Sequence, residues 1–251
     1  MDINLKTQFL EHWEKYFGQS ELPFVFYYTD GDGGAPMAVP AKGRSCIICE
    51  LAKVRKGESI CYDEEAIICG GAKRYLGFAP GIRPNFEYFL SCGIPGKMEG
   101  ERYIKTPEMV VEMMKKQPAL NRPGKHIVFK RWDKLEASDN PEVVIFIAKP
   151  DVLSGLFTLA NYDQAESDST IAPFGAGCGS IVYYPYFEKD KERPRAVLGM
   201  FDPSARPCVP GDTLSFAVPM IKFEKMISNM DESFLITDTW TTILSRIEKN
   251  K

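Results

Sequence analysis

The sequence predicts an α+β (mixed α/β) protein: a single domain with a mixed or antiparallel sheet and flanking helices. Three observations lead there. Amphipathic helical stretches and apolar strand stretches are interspersed without a strict βαβ rhythm. The run Val143-Val144-Ile145-Phe146-Ile147-Ala148 is apolar throughout, as expected of a central strand covered on both faces. No linker, repeat or low-complexity stretch divides the 251 residues, which are enough for one large core, so the domain is taken as 1–251.

Each element follows from its local pattern. In residues 3–17, Leu5, Phe9, Leu10, Trp13 and Phe17 recur at helical spacing and Gly18 is a natural stop. His12 is expected on the charged, solvated face of that helix. Residues 23–28 suit a strand, and 29–34 a loop whose Asp-Gly-Asp-Gly pattern lacks the spacing and closing glutamate of a calcium loop. Ser45 is expected to cap a helix that carries Cys46 and Cys49 and ends at Lys56-Gly57. A short strand over 59–62 and an apolar strand over 66–69 follow, the second entering a strand-to-helix junction at Cys69-Gly70-Gly71. Residues 85–90 read as a short helix, and Thr106-Pro107-Glu108 opens another that stops before Pro118. Strands are expected over 126–132, 143–148, 196–201 and 214–218, and helices over 151–161, 219–229 and 237–249.

Composition narrows the function classes. Hydrophobic residues make up 44% and charged residues 26%, as in ordinary soluble globular proteins. A net charge of −3 gives no ground for a nucleic-acid or anionic-membrane partner. The N-terminus shows no signal-peptide pattern and no apolar run is long enough to span a bilayer, so a cytoplasmic protein is expected. Seven cysteines in such a chain point away from a disulfide framework and toward reduced thiols, metal ligands or a reactive cysteine. With two histidines, His12 and His126, a histidine-based mechanism has little to work with.

Two turns and an N-terminal cysteine group are expected to build one site. Phe174-Gly175-Ala176-Gly177-Cys178-Gly179-Ser180 surrounds a cysteine with glycines, which admit close approach of another group. Cys178 is read as a nucleophile, as a metal or cofactor ligand, or as a residue that merely fits the turn. Asp202-Pro203-Ser204-Ala205-Arg206-Pro207 places an acid, a hydroxyl and a guanidinium together, so that Arg206 could orient an anion or simply pair with Asp202. Cys46, Cys49, Cys61 and Cys69 follow C-x2-C-x11-C-x7-C, a set that could hold zinc or an iron–sulfur cluster, with further ligands available from Cys92, Cys178 or Cys208. Cys46, in a first helical turn, is expected to favour the thiolate. Packing as small buried hydrophobes is the competing reading of these cysteines.

The motifs Cys69-Gly70-Gly71, Leu76-Gly77-Phe78, Gly177-Cys178-Gly179-Ser180, Phe201 to Arg206 and Asp212 to Pro219, in that order, resemble the DUF169 family of archaeal and anaerobic bacterial proteins. The resemblance implies a cytoplasmic protein, often from anaerobes, and supports Cys69 and Cys178 more strongly than Cys46, Cys49 or Cys61. It implies no activity. The resulting expectation is a metal site drawn from Cys46, Cys49, Cys61, Cys69 and Cys178, with Gly70, Gly71, Gly177, Gly179, Asp202, Ser204 and Arg206 around the cofactor. That cofactor would be an iron–sulfur cluster, or zinc as the alternative, in a redox or cofactor-handling role. Two other classes stay open: a metal-free binding module for a small anionic metabolite, and a thiol enzyme using Cys178.

Overall fold

The computed structural model describes residues 1–43, 45–81 and 83–249. Among them one seven-stranded sheet forms, from β1 (Phe24–Thr29), β2 (Ile60–Tyr62), β3 (His126–Arg131), β4 (Val143–Ala148), β5 (Thr170–Ile171), β6 (Ala196–Gly199) and β7 (Leu214–Pro219). Their spatial order is β2-β3-β1-β4-β7-β6-β5, antiparallel throughout except for the parallel pair β5–β6. The sheet is therefore mixed, as expected. The helices are α1 (Ile3–Phe17), α2 (Ile47–Glu50), α3 (Ala52–Arg55), α4 (Gly70–Tyr75), α5 (Phe86–Leu90), α6 (Pro107–Lys115), α7 (Pro150–Asn161), α8 (Tyr184–Glu188), α9 (Met220–Ser228) and α10 (Asp238–Lys249).

Strand β4 explains how the layers arise. Alternate side chains point to opposite faces of a strand. Val143, Ile145 and Ile147 enter one core, while Val144, Phe146 and Ala148 enter another. The second core is closed by aromatic residues of α1, with α7, α9 and Trp240 of α10 around them; Phe9, Trp132 and Phe223 meet there edge to face. Gly155 is required in α7, because a Cβ there would stand 2.3 Å from the Trp240 ring. The first core is closed by α2, α3, α4 and the segment around Cys178, and it carries the candidate site.

Several local expectations change. Residues 66–69 form no strand: the Asp63 carboxylate accepts the Ala66 amide at 2.8 Å and the chain turns directly into α4. Cys46, not Ser45, is the cap residue of α2, while the Ser45 hydroxyl donates to the Glu50 carboxylate. His12 is not simply solvated: its side chain is 13% exposed and its Nε2 lies 3.0 Å from Asp231. The apolar stretch after Gly179 is a single π-helical turn, Gly179–Tyr183, running into α8, and such turns often mark functional places.

Candidate functional site

β6 ends at Gly199, and Met200 adopts a left-handed φ of 68° that turns the chain away from the sheet. Glycine is needed at 199 because a Cβ would fall 2.2 Å from Ser180 Cβ. With that contact made, the Ser180 hydroxyl donates to the Gly177 carbonyl at 2.8 Å and accepts the Met200 amide at 3.2 Å. The Asp202 carboxylate, 5% exposed, accepts the amides of Gly177 at 3.2 Å and Ser204 at 3.0 Å, together with the Ser204 hydroxyl. Gly177 itself admits no side chain: a Cβ would lie 2.7 Å from Ala205 Cβ and 3.2 Å from Ile48 Cγ1. The two turns are thus one structure, and α2 is seated against it.

The cysteines arrive from four separate segments. Cys46 precedes α2, Cys69 precedes α4 and Cys178 precedes the π-helical turn, each at the mouth of a helical stretch. Cys49 ends a turn begun by Cys46, with its amide donating to the Cys46 carbonyl at 3.0 Å. A short helical turn after Ala205 carries Cys208 to α2, where it is disulfide-bonded to Cys49 with a Cα separation of 4.5 Å. Cys46, Cys69 and Cys178 lie close enough to act on one another's charge, and the disulfide ties α2 to the turn after Asp202.

Their electrostatics bear on two expectations. Burial pushes the Cys178 thiol well above its usual range, and the sulfurs of Cys69 and Cys46 and the Asp202 carboxylate push it further, against one opposing hydrogen bond from the Gly179 amide. Burial thus works against the Cys178 thiolate, which does not favour the thiol-enzyme reading. Cys46 is also raised, because desolvation outweighs the helix-start amides of Ile48 and Cys49 that hydrogen-bond its sulfur. A metal ion, if bound, would reverse this order, since coordination deprotonates thiols outright.

Other predicted residues divide. Gly70 and Gly71 open α4 beside Cys69, with Gly71 directly against the Cys69 sulfur, and Gly179 lies against the Tyr75 ring. Ser204 braces Asp202. Cys61 does not join the group: Ile60 and Tyr62 face the core that bears the site, so Cys61 points through the sheet to Tyr27, Ala35 and Val128. Arg206 faces neither Asp202 nor an open anion site. Its guanidinium donates to the carbonyls of Thr213, Pro210 and Gly211, clamping its own loop. Cys92 is exposed on another loop, where its sulfur donates to the Gly93 carbonyl. Cys208, read from the sequence as a further possible ligand, is instead bonded to Cys49; its one sequence signal is its position immediately after the Asp202–Pro207 turn. Among the described residues, no three His, Cys, Asp or Glu side chains are arranged as they stand to hold a metal ion, with two of the five sulfurs tied to each other. No helix among them is long and apolar enough to cross a membrane.

The fold and site define an α+β protein that assembles a cysteine cluster from distant parts of its chain. The chain belongs to DUF169, a family described as Uncharacterised ArCR, whose model matches residues 19–229 and so includes Cys46, Cys49, Cys69, Cys178 and Cys208. No curated protein and no solved structure matches it.

Proposed function

We propose that the cysteine site around Cys46, Cys69 and Cys178 binds an iron–sulfur cluster or another soft-metal cofactor, and that the protein serves a redox or cofactor-handling role in the cytoplasm. One observation carries this reading: segments far apart in sequence bring Cys46, Cys69 and Cys178 close enough to act on one another's charge, and the Cys49–Cys208 disulfide ties α2, which follows Cys46, to the turn after Asp202. Packing alone asks for no such convergence, because small hydrophobes would fill those positions equally well. Thiolates are the ligands that iron–sulfur clusters and tetrahedral zinc select, and four suffice for either. The amides of Gly179, Gly70 and Gly71 would supply hydrogen bonds to bound sulfur, while that of Gly177 is held by Asp202. Asp202 and Ser204 fix the turn rather than touching the cofactor. The anionic-metabolite reading loses support because the guanidinium of Arg206 is occupied by its own loop.

The test is iron, zinc and acid-labile sulfide content, with a visible spectrum, on protein purified without oxygen. Iron with sulfide at a fixed ratio to protein, lost in Cys69→Ser and Cys178→Ser, is the expected result. Zinc without sulfide would make the site structural or Lewis-acidic. An unchanged metal ratio in both variants, or no metal at all, overturns the reading.

A further inference from the structure

We propose that a cleft between the start of α7, the loop before β7 and the end of α10 binds a small organic anion with an apolar body. The site is separate from the cysteines and does not depend on the cofactor reading. The cleft holds about 850 Å³, room for an organic molecule rather than a bare ion. Part of its wall is apolar: Ile147 and Ala148 at the end of β4 and Val152 in α7, all buried, with Ile247 of α10 beside them. The loop before β7 supplies Pro210, Asp212 and Thr213. Arg206 holds that loop in shape, its guanidinium donating to the carbonyls of Pro210, Gly211 and Thr213, while the Thr213 hydroxyl donates to the Pro210 carbonyl at 2.8 Å. The Asp202–Arg206 turn and the Asp212-Thr213 motif thus share a task that the cysteine site does not give them: one fixes the loop, the other lines the cleft.

The balance of charge selects an anion. Three carboxylates line the cleft, and a cation already holds each of them. Glu21 accepts Arg55 Nε at 2.5 Å and Nη2 at 2.7 Å, Asp151 accepts Arg246 Nε at 2.7 Å, and Asp212 lies 3.4 Å from Lys149. Lys249 also lines the cleft, and it pairs with no carboxylate among the described residues. It follows Arg246 by three residues, so it shares the face of α10 that meets Asp151. At the start of α7, Lys149 gives no side-chain cap, which leaves the first-turn amides of Asp151 and Val152 without a partner in the helix. The acceptors of the cleft are therefore engaged, and what is left over is positive and hydrogen-bond donating. A carboxylate or a phosphate complements it, with the rest of the molecule against the apolar wall.

The experiment titrates the full chain with two fluorescent dyes: anilinonaphthalenesulfonate, an apolar body bearing one anion, and phenylnaphthylamine, the same body without it. The sulfonate dye is expected to saturate and to bind at least about tenfold more tightly than the neutral dye. Gln19→Trp, which fills the cleft from an exposed position, is expected to weaken both dyes. Lys249→Glu is expected to weaken the sulfonate dye by about fivefold or more and to leave the neutral dye unchanged. Circular dichroism shows that both variants are folded. Hexyl phosphate and hexanoate are expected to displace the sulfonate dye, and the better of the two tells a phosphate site from a carboxylate site. No saturable binding, equal binding of the two dyes, or sulfonate binding that either variant leaves unchanged overturns the proposal; so does displacement by hexanol as effective as by the two anions. The cysteines do not line the cleft, so each of these outcomes leaves the cofactor reading where it stands.

Discussion

The Asp202 carboxylate accepts the amide hydrogen of Gly177 at 3.2 Å, joining two turns 25 residues apart into one wall beside Cys178. The same carboxylate holds the Ser204 amide and hydroxyl, so it satisfies three donors at a nearly dry position. Asp202→Ala leaves those donors without their partner, and a loss of about 2–4 kcal/mol is expected by urea unfolding. Asp202→Asn, which keeps an acceptor oxygen, is expected to lose less. Equal losses in the two variants would show that the side chain acts by filling space.

Gly177 is required by its neighbours and not by its backbone angles. A Cβ at 2.7 Å from that of Ala205 must push the turns apart, so Gly177→Ala is expected to cost about 1–3 kcal/mol. Gly177→Ala combined with Ala205→Gly should recover most of that. Thermal unfolding of the three variants checks it, and no recovery in the double variant would place the strain elsewhere.

Glu142 gives stability a slope near neutrality. Burial raises its carboxyl from 4.5 to about 7, against the opposing charge of Lys189 and the Tyr28 amide, while Asp190 adds to the rise. The hydroxyls of Tyr28 and Tyr186 also face it, and both lie above the neutral range. The folded state therefore holds this proton more tightly than the unfolded chain. The associated stability is complete below pH about 4.5 and is lost as pH rises through about 7. Glu142→Gln is expected to be more stable than wild type at pH 8, by about 1–3 kcal/mol, and to close that gap toward pH 5. Urea unfolding at the two pH values measures the difference, and a gap independent of pH would refute the assignment.

Lys130 and Asp139 form a buried ion pair at 2.9 and 3.0 Å, each 2% exposed, with Tyr27 and the Glu136 amide also donating to the carboxylate. Lys130→Met strands the carboxylate and is expected to cost about 3–5 kcal/mol. Adding Asp139→Asn removes the orphaned charge and should restore part of the loss. A double variant as unstable as the sum of the singles would show that the pair is not coupled.

The disulfide spans 159 residues, so it restricts the unfolded chain strongly. Without reductant, Cys208→Ser is expected to lose about 2–5 kcal/mol relative to wild type, and with a dithiol present the difference should largely vanish. A difference that persists under reduction would belong to packing around Cys208.

The sequence by itself determined the elements whose signal is local. The all-apolar run of β4, the Thr106 cap with its following proline, the strand-to-helix passage at Pro219 and the terminal helix all lie where alternation and capping place them. It also marked both turns of the site, because glycines around one cysteine and an Asp-Pro-Ser turn are unusual in any context. Residues 66–69 misled, since a short apolar run suits a strand and a buried turn alike. Tertiary structure alone decided the membership and chemistry of the cluster. Cys61 leaves the group because strand alternation turned its sulfur through the sheet, while Cys208, 159 residues from Cys49, is delivered to it as a disulfide partner. Cys46 and Cys178 are raised rather than lowered because desolvation depends on what covers a thiol, and the covering segments come from elsewhere in the chain. Periodicity and capping act over a few residues and can be read along the chain; which sulfur meets which, and how dry it is, follows from contacts between segments that the fold alone brings together.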